Sequence, residues 1–389
     1  MAASAQPGTD RAPIRPQPGN ERDPANFVGR EEPTRLARER LLAGDNLWLS
    51  DPRRIGKTYW MRTFAAREAG FQGYLINYEG VTSVDEFLTR TAEELHGSRK
   101  LPDRTRRVLS TVFENVESVG MPGVIIVKPY HRRTPPLTLL TSILGALDTD
   151  DGPVPLVMMD EVPMAIRNIA RSEDASAAAA LLQTLRALRQ GTTRVRWIVA
   201  GSVGFHHVLR DAGGASGDLA DLASLVLGPL PDHETRELAQ RLLLGINQMP
   251  SDRTVEALVE VSGGIPFLAH KVVGMLGQRS KGAATAQDVR DCFEDFIDCH
   301  EEFGWFDHFT RRVDQYYGDR TRLARKTLDS AVSSEHQWVP LASLDAAVLD
   351  VLDDLVADHY LEVSGQRVRW RYPALQYIWA RRRRLWDRP

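Results

Sequence analysis

Between residue 27 and about residue 230, short apolar runs alternate with stretches in which apolar residues recur every three to four positions. The runs predict strands at 46–50, 74–78, 124–127, 156–159, 195–200 and 225–227. The periodic stretches predict a helix-like segment opening at Phe27 and carrying Leu36, Leu41 and Leu42. Further helices are expected from Lys57 onward, over 84–95 and over 175–190. Short apolar strands separated by helices imply a parallel sheet covered on both faces, an α/β layer architecture. Loops rich in Pro, Gly or Asp fall at 132–136 and 149–155.

From about residue 231 the strand signals stop. Amphipathic helices are expected at 232–247, 253–261, 265–276 and 286–297; in the third, Leu268, Val272 and Leu276 recur at i+4 with Ala269 and Val273 beside them. From about 309 the order is helix (320–332), helix (341–347), helix (349–358), then strands at 360–363 and 367–370 joined by Ser364-Gly365-Gln366. Helices followed by a hairpin suggest a winged helix. Residues 1–26 carry five prolines, with Ile14 as the one branched aliphatic residue. A stretch with so little to bury reads as a disordered tail. The expected division is therefore a tail at 1–26, an α/β core at 27–230, a helical unit at 231–308 and a winged helix at 309–389. No solenoid-type repeat is visible.

Composition narrows the function. Hydrophobic residues make up 42% and charged residues 26%, and 49 Lys and Arg stand against 52 Asp and Glu for a net charge of −3. That balance excludes a polycation coating nucleic acid and a long acidic disordered chain. Cys292 and Cys299 cannot build a disulfide framework. They read as small apolar residues on a helix, in keeping with a reduced, cytoplasmic setting. No run approaches the roughly 20 apolar residues of a membrane helix, and the first residues lack the apolar segment of a secretory signal.

Charge is unevenly placed near the end. Residues 360–389 hold eight Arg and two acids, including Arg381–Arg384 between Trp379 and Trp386, whereas 340–359 carry Asp345, Asp350, Asp353, Asp354 and Asp358 with no Lys or Arg. An acidic helix facing a polyanion is repelled. The winged helix thus reads as a regulatory or protein-binding module rather than a reader of DNA sequence. Non-specific contact through Arg367, Arg369, Arg371 and the arginine run stays open. The ten histidines show no metal spacing; His206 and His207 are adjacent and, on a helix, are expected to face different directions, and His131 reads as solvated. Hydrolase motifs of the G-x-S-x-G and H-E-x-x-H types are absent from the sequence. The eight tryptophans read as packing residues.

The strongest chemical signal is DPRRIGKT at 51–58, which follows an apolar strand and opens a helix. In that setting successive backbone N–H groups form a concave nest for phosphate oxygens. Gly56 allows close approach, Lys57 reaches the β- and γ-phosphates, and the Thr58 hydroxyl is placed to ligate Mg²⁺. Pro52, Arg53, Arg54, Ile55 and Tyr59 complete the expected nucleotide contacts. Asp51 stands where the P-loop pattern has glycine, and its carboxylate is unwelcome beside phosphates unless it points away.

A second motif, PLVMMDE at 155–161, is an apolar strand ending in two acids. Asp160 is placed to hold Mg²⁺ through water, and Glu161 to orient and polarise an attacking water. The next strand ends in Gly201-Ser202; Ser202 sits beside the γ-phosphate if that strand neighbours the phosphate turn.

FVGRE, PRRIGKT, LVMMDE, VAGSVG and SGGIP, in this order, resemble the AAA+/STAND-type P-loop ATPases, and are most similar to the archaeal-type ATPase family, over roughly residues 27–380. The resemblance implies a P-loop NTPase core with a parallel sheet, a helical lid and a C-terminal winged helix. It also implies ATP and Mg²⁺ as cofactors, and lid and winged helix moving against the core when ATP replaces ADP. It places Val28, Gly29 and Arg30 near the adenine and sets Pro266, in Gly264-Ile265-Pro266, against the nucleotide. Ser202 matches a sensor position where related proteins more often carry Asn. No arginine finger is assigned; Arg210 is a candidate by location. Two functions follow. One is a Mg²⁺-dependent ATPase acting as a nucleotide-controlled switch. The other is a slow nucleotide-binding adaptor, or DNA-binding regulator, acting through the winged helix. Oligomer formation is left open by the resemblance.

Overall fold

The structure, a computed structural model, describes residues 12–19, 21–98, 101–114, 134–149, 152–202, 204, 206–208, 219–279, 282–299, 312–333 and 336–385. The strand expected at 124–127, His131, Arg210 and Trp386 lie outside the described residues.

The first layer is a five-stranded parallel sheet of β1 (Asn46–Leu49), β2 (Phe71–Asn77), β3 (Val154–Asp160), β4 (Arg196–Ala200) and β5 (Leu222–Leu225), in the order β2-β3-β4-β1-β5. Successive side chains alternate between faces. Leu47, Leu49, Met158 and Ile198 feed one apolar cluster, and Val157, Met159, Trp197 and Val199 feed another. Both faces are therefore covered, which is why these strands read as continuous apolar runs. The strand expected at 225–227 lies earlier, at β5; Leu227 and Gly228 have left the ladder, and their amides serve another purpose described below.

The covering helices are α1 (Glu31–Ala43), α2 (Lys57–Arg67), α3 (Val84–His96), α4 (Asp103–Glu114), α5 (Pro136–Gly145), α6 (Val162–Ser172) and α7 (Ala175–Gly191). Of these, α4, α5 and α6 are not foreseen by the sequence reading. Then come four helices, α8 (Asp232–Gly245), α9 (Asp252–Ser262), α10 (Pro266–Arg279) and α11 (Ala286–Asp298). Ser251 caps α9, and Thr285 with Asp288 forms a capping box at α11. Cys292 is buried in α11, while Cys299 closes it, and both are free.

The last unit holds α12 (Thr321–Ser330), α13 (Ala346–Leu349), α14 (Leu352–Ala357) and α15 (Pro373–Arg382). Its antiparallel sheet is β6 (Val339–Pro340), β7 (Leu361–Ser364) and β8 (Arg367–Trp370), in the order β6-β8-β7. This is a winged helix with one strand more than the sequence suggests. The helix expected at 341–347 is broken into a 3-10 turn, Leu341–Ser343, and α13, because the Asp345 carboxylate caps the Ala347 N–H. The apolar cluster containing Leu47 continues through Leu268, Phe293, Leu355 and Trp379. Parallel sheet, lid helices and winged helix therefore share buried surface.

The disordered tail expected over 1–26 is corrected for residues 12–19 and 21–26. Ile14 is fully buried. Its N–H donates to the Arg241 carbonyl at 2.9 Å, and the Arg241 guanidinium donates to the Ala12 carbonyl at 2.9 Å. Gly245 allows this approach, since an added Cβ would lie 1.8 Å from the Ile14 carbonyl oxygen. The segment has few apolar residues of its own and is ordered by a groove built far away in sequence.

Candidate nucleotide site

The turn after β1 leads into α2 through Gly56, whose φ of 98° lies in the left-handed region. No side chain caps α2, so its first N–H groups are left for another acceptor. Lys57 is 6% exposed, and its ammonium donates to the carbonyls of Asp51 and of Pro52, the latter at 3.0 Å. Burial lowers its pKa, opposed by Glu161, Asp160 and Asp51.

β4 lies between β1 and β3, so the strand ending in Ser202 separates the phosphate-type loop from the acidic pair. The condition set by the sequence, that this strand neighbour the turn, is met. The Thr58 hydroxyl donates to Asp160, and Asp160 accepts the Glu161 N–H at 3.0 Å. The Ser202 hydroxyl donates to Glu161 at 3.1 Å, and Arg53 lies 3.8 Å from the same carboxylate while also pairing with Glu79. Glu161 has a φ of 56°, a left-handed conformation uncommon for a residue with a side chain. Arg312 donates to the Ser202 carbonyl at 2.7 Å.

Asp51 does not face the loop's concave side. It is fully buried, and its carboxylate accepts from the N–H groups of Leu227 and Gly228 at 2.8 and 3.0 Å and from the Tyr372 hydroxyl at 3.0 Å. Arg30, also buried, donates to the carbonyls of Leu227, Gly228 and Ile55. Burial lowers the Arg30 pKa against the pull of Asp51. Asp51 is thus a structural tie between the loop, the β5 exit and the winged helix.

A cleft of about 450 Å³ opens over the loop, a size suited to a small ligand. Its walls include Arg53, Arg54, Ile55, Gly56, Lys57, Thr58 and Tyr59 from the loop, Asp160 and Glu161 from β3 and its end, and Val28, Arg30 and Pro266. Gly29 instead packs against the Glu234 carboxylate, Pro52 contributes its carbonyl to Lys57, and Ser202 stands behind Glu161. The sequence reading missed the rest of the wall. Gln17, Glu21, Arg22 and Asn26 come from the segment read as a tail, and Phe267 and His270 from α10. The Arg54 guanidinium stacks over Phe267 at 4.7 Å, and the Gln17 N–H donates to His270 Nδ1 at 3.1 Å. The signal available for α10 was its place directly after Gly264-Ile265-Pro266.

A strand, a glycine turn carrying Lys-Thr and an acidic pair two strands away make the site comparable with known proteins. The chain is similar to a Walker-type ATPase of Pyrococcus abyssi, with TM-score 0.59 and 16% identity over 91% of this chain and 96% of that one. It is also similar to the ORC2 protein of Aeropyrum pernix in its ADPNP–ADP complexes, with TM-score 0.50 and 13% identity over 96% of each chain. The likeness to both is one of fold. No protein-family model matches the sequence, and no curated protein matches it either.

The loop and the acidic pair allow the fit of two groups to be tested on the residues present. Thr58 and Asp160 offer hydroxyl and carboxylate oxygens, the donors a hard dication takes. Burial, then the neighbouring Glu161, holds the Asp160 carboxyl above its ordinary range, an environment that a dication relieves. Uncapped amides, a buried lysine and a cleft of suitable size fit a polyphosphate. Among the described residues, no helix is long and apolar enough to cross a membrane.

Proposed function

We propose that this chain binds ATP with Mg²⁺ and hydrolyses it as a nucleotide-controlled switch. The observation that carries this reading is the continuous set of contacts from Thr58 to Asp160, Glu161 and Ser202, assembled beside Lys57. In it, Lys57 and the amides of 53–58 bind the phosphates, Thr58 and Asp160 hold Mg²⁺, and Glu161 takes the proton of an attacking water. Mg²⁺, when bound, neutralises charge developing on the phosphate oxygens. Ser202 senses the γ-phosphate through its bond to Glu161. Val28, Phe267 and Pro266 supply an apolar wall for the base, with ADP as the product held in the same place.

The switch reading is supported by where the winged helix rests. Tyr372 bonds Asp51 at the foot of the loop, and His359 Nε2 bonds the Ser50 hydroxyl at 2.8 Å. A ligand that favours one loop arrangement therefore biases the docking of the winged helix.

The test is steady-state phosphate release. Lys57→Ala is expected to abolish nucleotide binding, and Glu161→Gln to keep binding while turnover falls by about 10²–10⁴-fold, the usual size of a general-base contribution. Unchanged hydrolysis by Glu161→Gln overturns the role of Glu161.

A second reading, a slow nucleotide-binding adaptor, is favoured by the Glu161 carboxylate itself. Ser202 and Arg53 already occupy it, so it must be released before it can act as a base. Tight nucleotide retention without phosphate release selects this reading. A protein partner for the winged helix fits better than DNA, because Arg381 pairs with Glu294 and Asp298 and Arg383 with Asp329. Mass measured with ADP and with a non-hydrolysable ATP analogue tests nucleotide-gated assembly.

A further inference from the structure

The junction between β4 and the winged helix holds a second cluster, unused by the nucleotide chemistry. Residues 206–208 form a helical turn shortly after Ser202, and Asp358 follows α14. Adjacent helical residues leave the axis about 100° apart, yet both imidazoles turn to the Asp358 carboxylate. His207 Nε2 lies 2.8 Å from Asp358 Oδ2, and His206 Nε2 lies 3.7 Å from Asp358 Oδ1 and 3.7 Å from Asp354 Oδ1. The two rings are 4.0 Å apart, centroid to centroid. The expectation that these histidines face different directions is thereby corrected.

We propose that His206, His207 and Asp358 form a binding site for a divalent transition-metal ion of the Zn²⁺ class, with an Asp354 oxygen beside it as a fourth donor. One ligand atom from each of the three lies within 4.8 Å of the others, and His207 and Asp358 are buried while His206 is half-buried. A tetrahedral Zn²⁺ with bonds of about 2.0–2.1 Å sets its donors about 3.3 Å apart, inside the spread found here. Two imidazoles with carboxylate is a borderline donor set, which prefers Zn²⁺ to Mg²⁺ or Ca²⁺.

The outer contacts match what a ligating carboxylate needs. A carboxylate offers about four acceptor positions. Gly204 N–H takes one on Oδ1 at 2.9 Å and Tyr317 O–H one on Oδ2 at 2.8 Å. Those bonds fix the carboxylate and leave its remaining positions toward the two histidines. Arg320 holds the other oxygen of Asp354.

The ligands come from segments about 150 residues apart in sequence, so a bound ion is a cross-link. It ties the strand end bearing Ser202 to the winged helix, one residue from His359 and its bond to Ser50. This site does not depend on the ATPase reading.

The experiment is a Zn²⁺ titration of the metal-stripped full chain by calorimetry, with His206→Ala and Asp160→Asn beside the parent. The second variant separates this site from the one proposed for Mg²⁺. The parent and Asp160→Asn are expected to bind one equivalent, and His206→Ala to bind at least about ten- to a hundredfold more weakly, since even outer-contact losses cost that much. Excess Zn²⁺ should raise the Tm of the parent by more than that of His206→Ala. Half-exposure of His206 favours a folded variant; should it not fold, Co²⁺ added to the parent must give the visible bands of a tetrahedral site. Equal Zn²⁺ affinity in parent and His206→Ala, loss of binding in Asp160→Asn alone, or no Co²⁺ bands overturns the proposal.

Discussion

Asp51 carries the most instructive chemistry at the scale of a single residue. Its carboxylate replaces the glycine of the P-loop pattern and is harmless to phosphate because it is fully spent elsewhere, on Leu227, Gly228 and Tyr372. Restoring the glycine should therefore damage the protein. Asp51→Gly leaves buried donors unpaired beside a buried Arg30, and a loss of about 3–5 kcal/mol is expected in urea denaturation. Stability unchanged in Asp51→Gly would refute the structural role. The sequence exposed the anomaly at this position, but its resolution needed partners 176 and 321 residues away. Ser202 behaves in the opposite way. Its place at a strand end was legible locally, and only the order of the strands had to be supplied.

Among the elements, the segment at 12–26 departs furthest from expectation. Pro-rich and polar, it carries no periodicity, yet Ile14 is seated against α8 and Gln17 is bonded to His270 of α10. Burial drives the His270 pKa down to about 4 from 6.5, with Glu21 opposing. The unfolded chain therefore takes up this proton first as pH falls. The contribution is full above about pH 6.5 and drains toward pH 4, with about 2 kcal/mol gone at pH 5. Denaturation of His270→Gln at pH 7 and pH 5 should show a smaller drop than the parent, and an equal drop would contradict the neutral, buried imidazole. Ile14→Asp should release the segment, seen as new protease cleavage within 12–26, and cost about 1.5–3 kcal/mol from the lost apolar burial. Helix α13 teaches the same lesson in reverse. The periodicity of 341–347 was helical, but the Asp345 cap and the pairing of β6 with β8 split it.

Across the whole molecule, charge placement decides what the winged helix can do. Three of the five acids between 340 and 359 are taken up within the chain: Asp345 pairs with Lys326, Asp354 with Arg320, and Asp358 is buried against His207. Equally, Arg381 and Arg383 are held by acids of α11 and α12. These partners lie outside 340–359. A duplex-binding titration at low salt is expected to show weak or no association. Strong binding that falls steeply with added salt would instead identify a phosphate-contacting surface.

The sequence by itself determined the strand–turn–helix at 46–67, the acidic end of β3, the change to helices after 231 and the hairpin of the winged helix. Each is written in local periodicity and in residues whose chemistry acts within a few positions. Tertiary structure decided the destination of the Asp51 carboxylate, the ordering of 12–26, the convergence of His206 and His207 on Asp358, and the partners of the terminal arginines. Those outcomes depend on surfaces brought together across hundreds of residues. A buried charge or a lone isoleucine takes its meaning from the groups that surround it after folding.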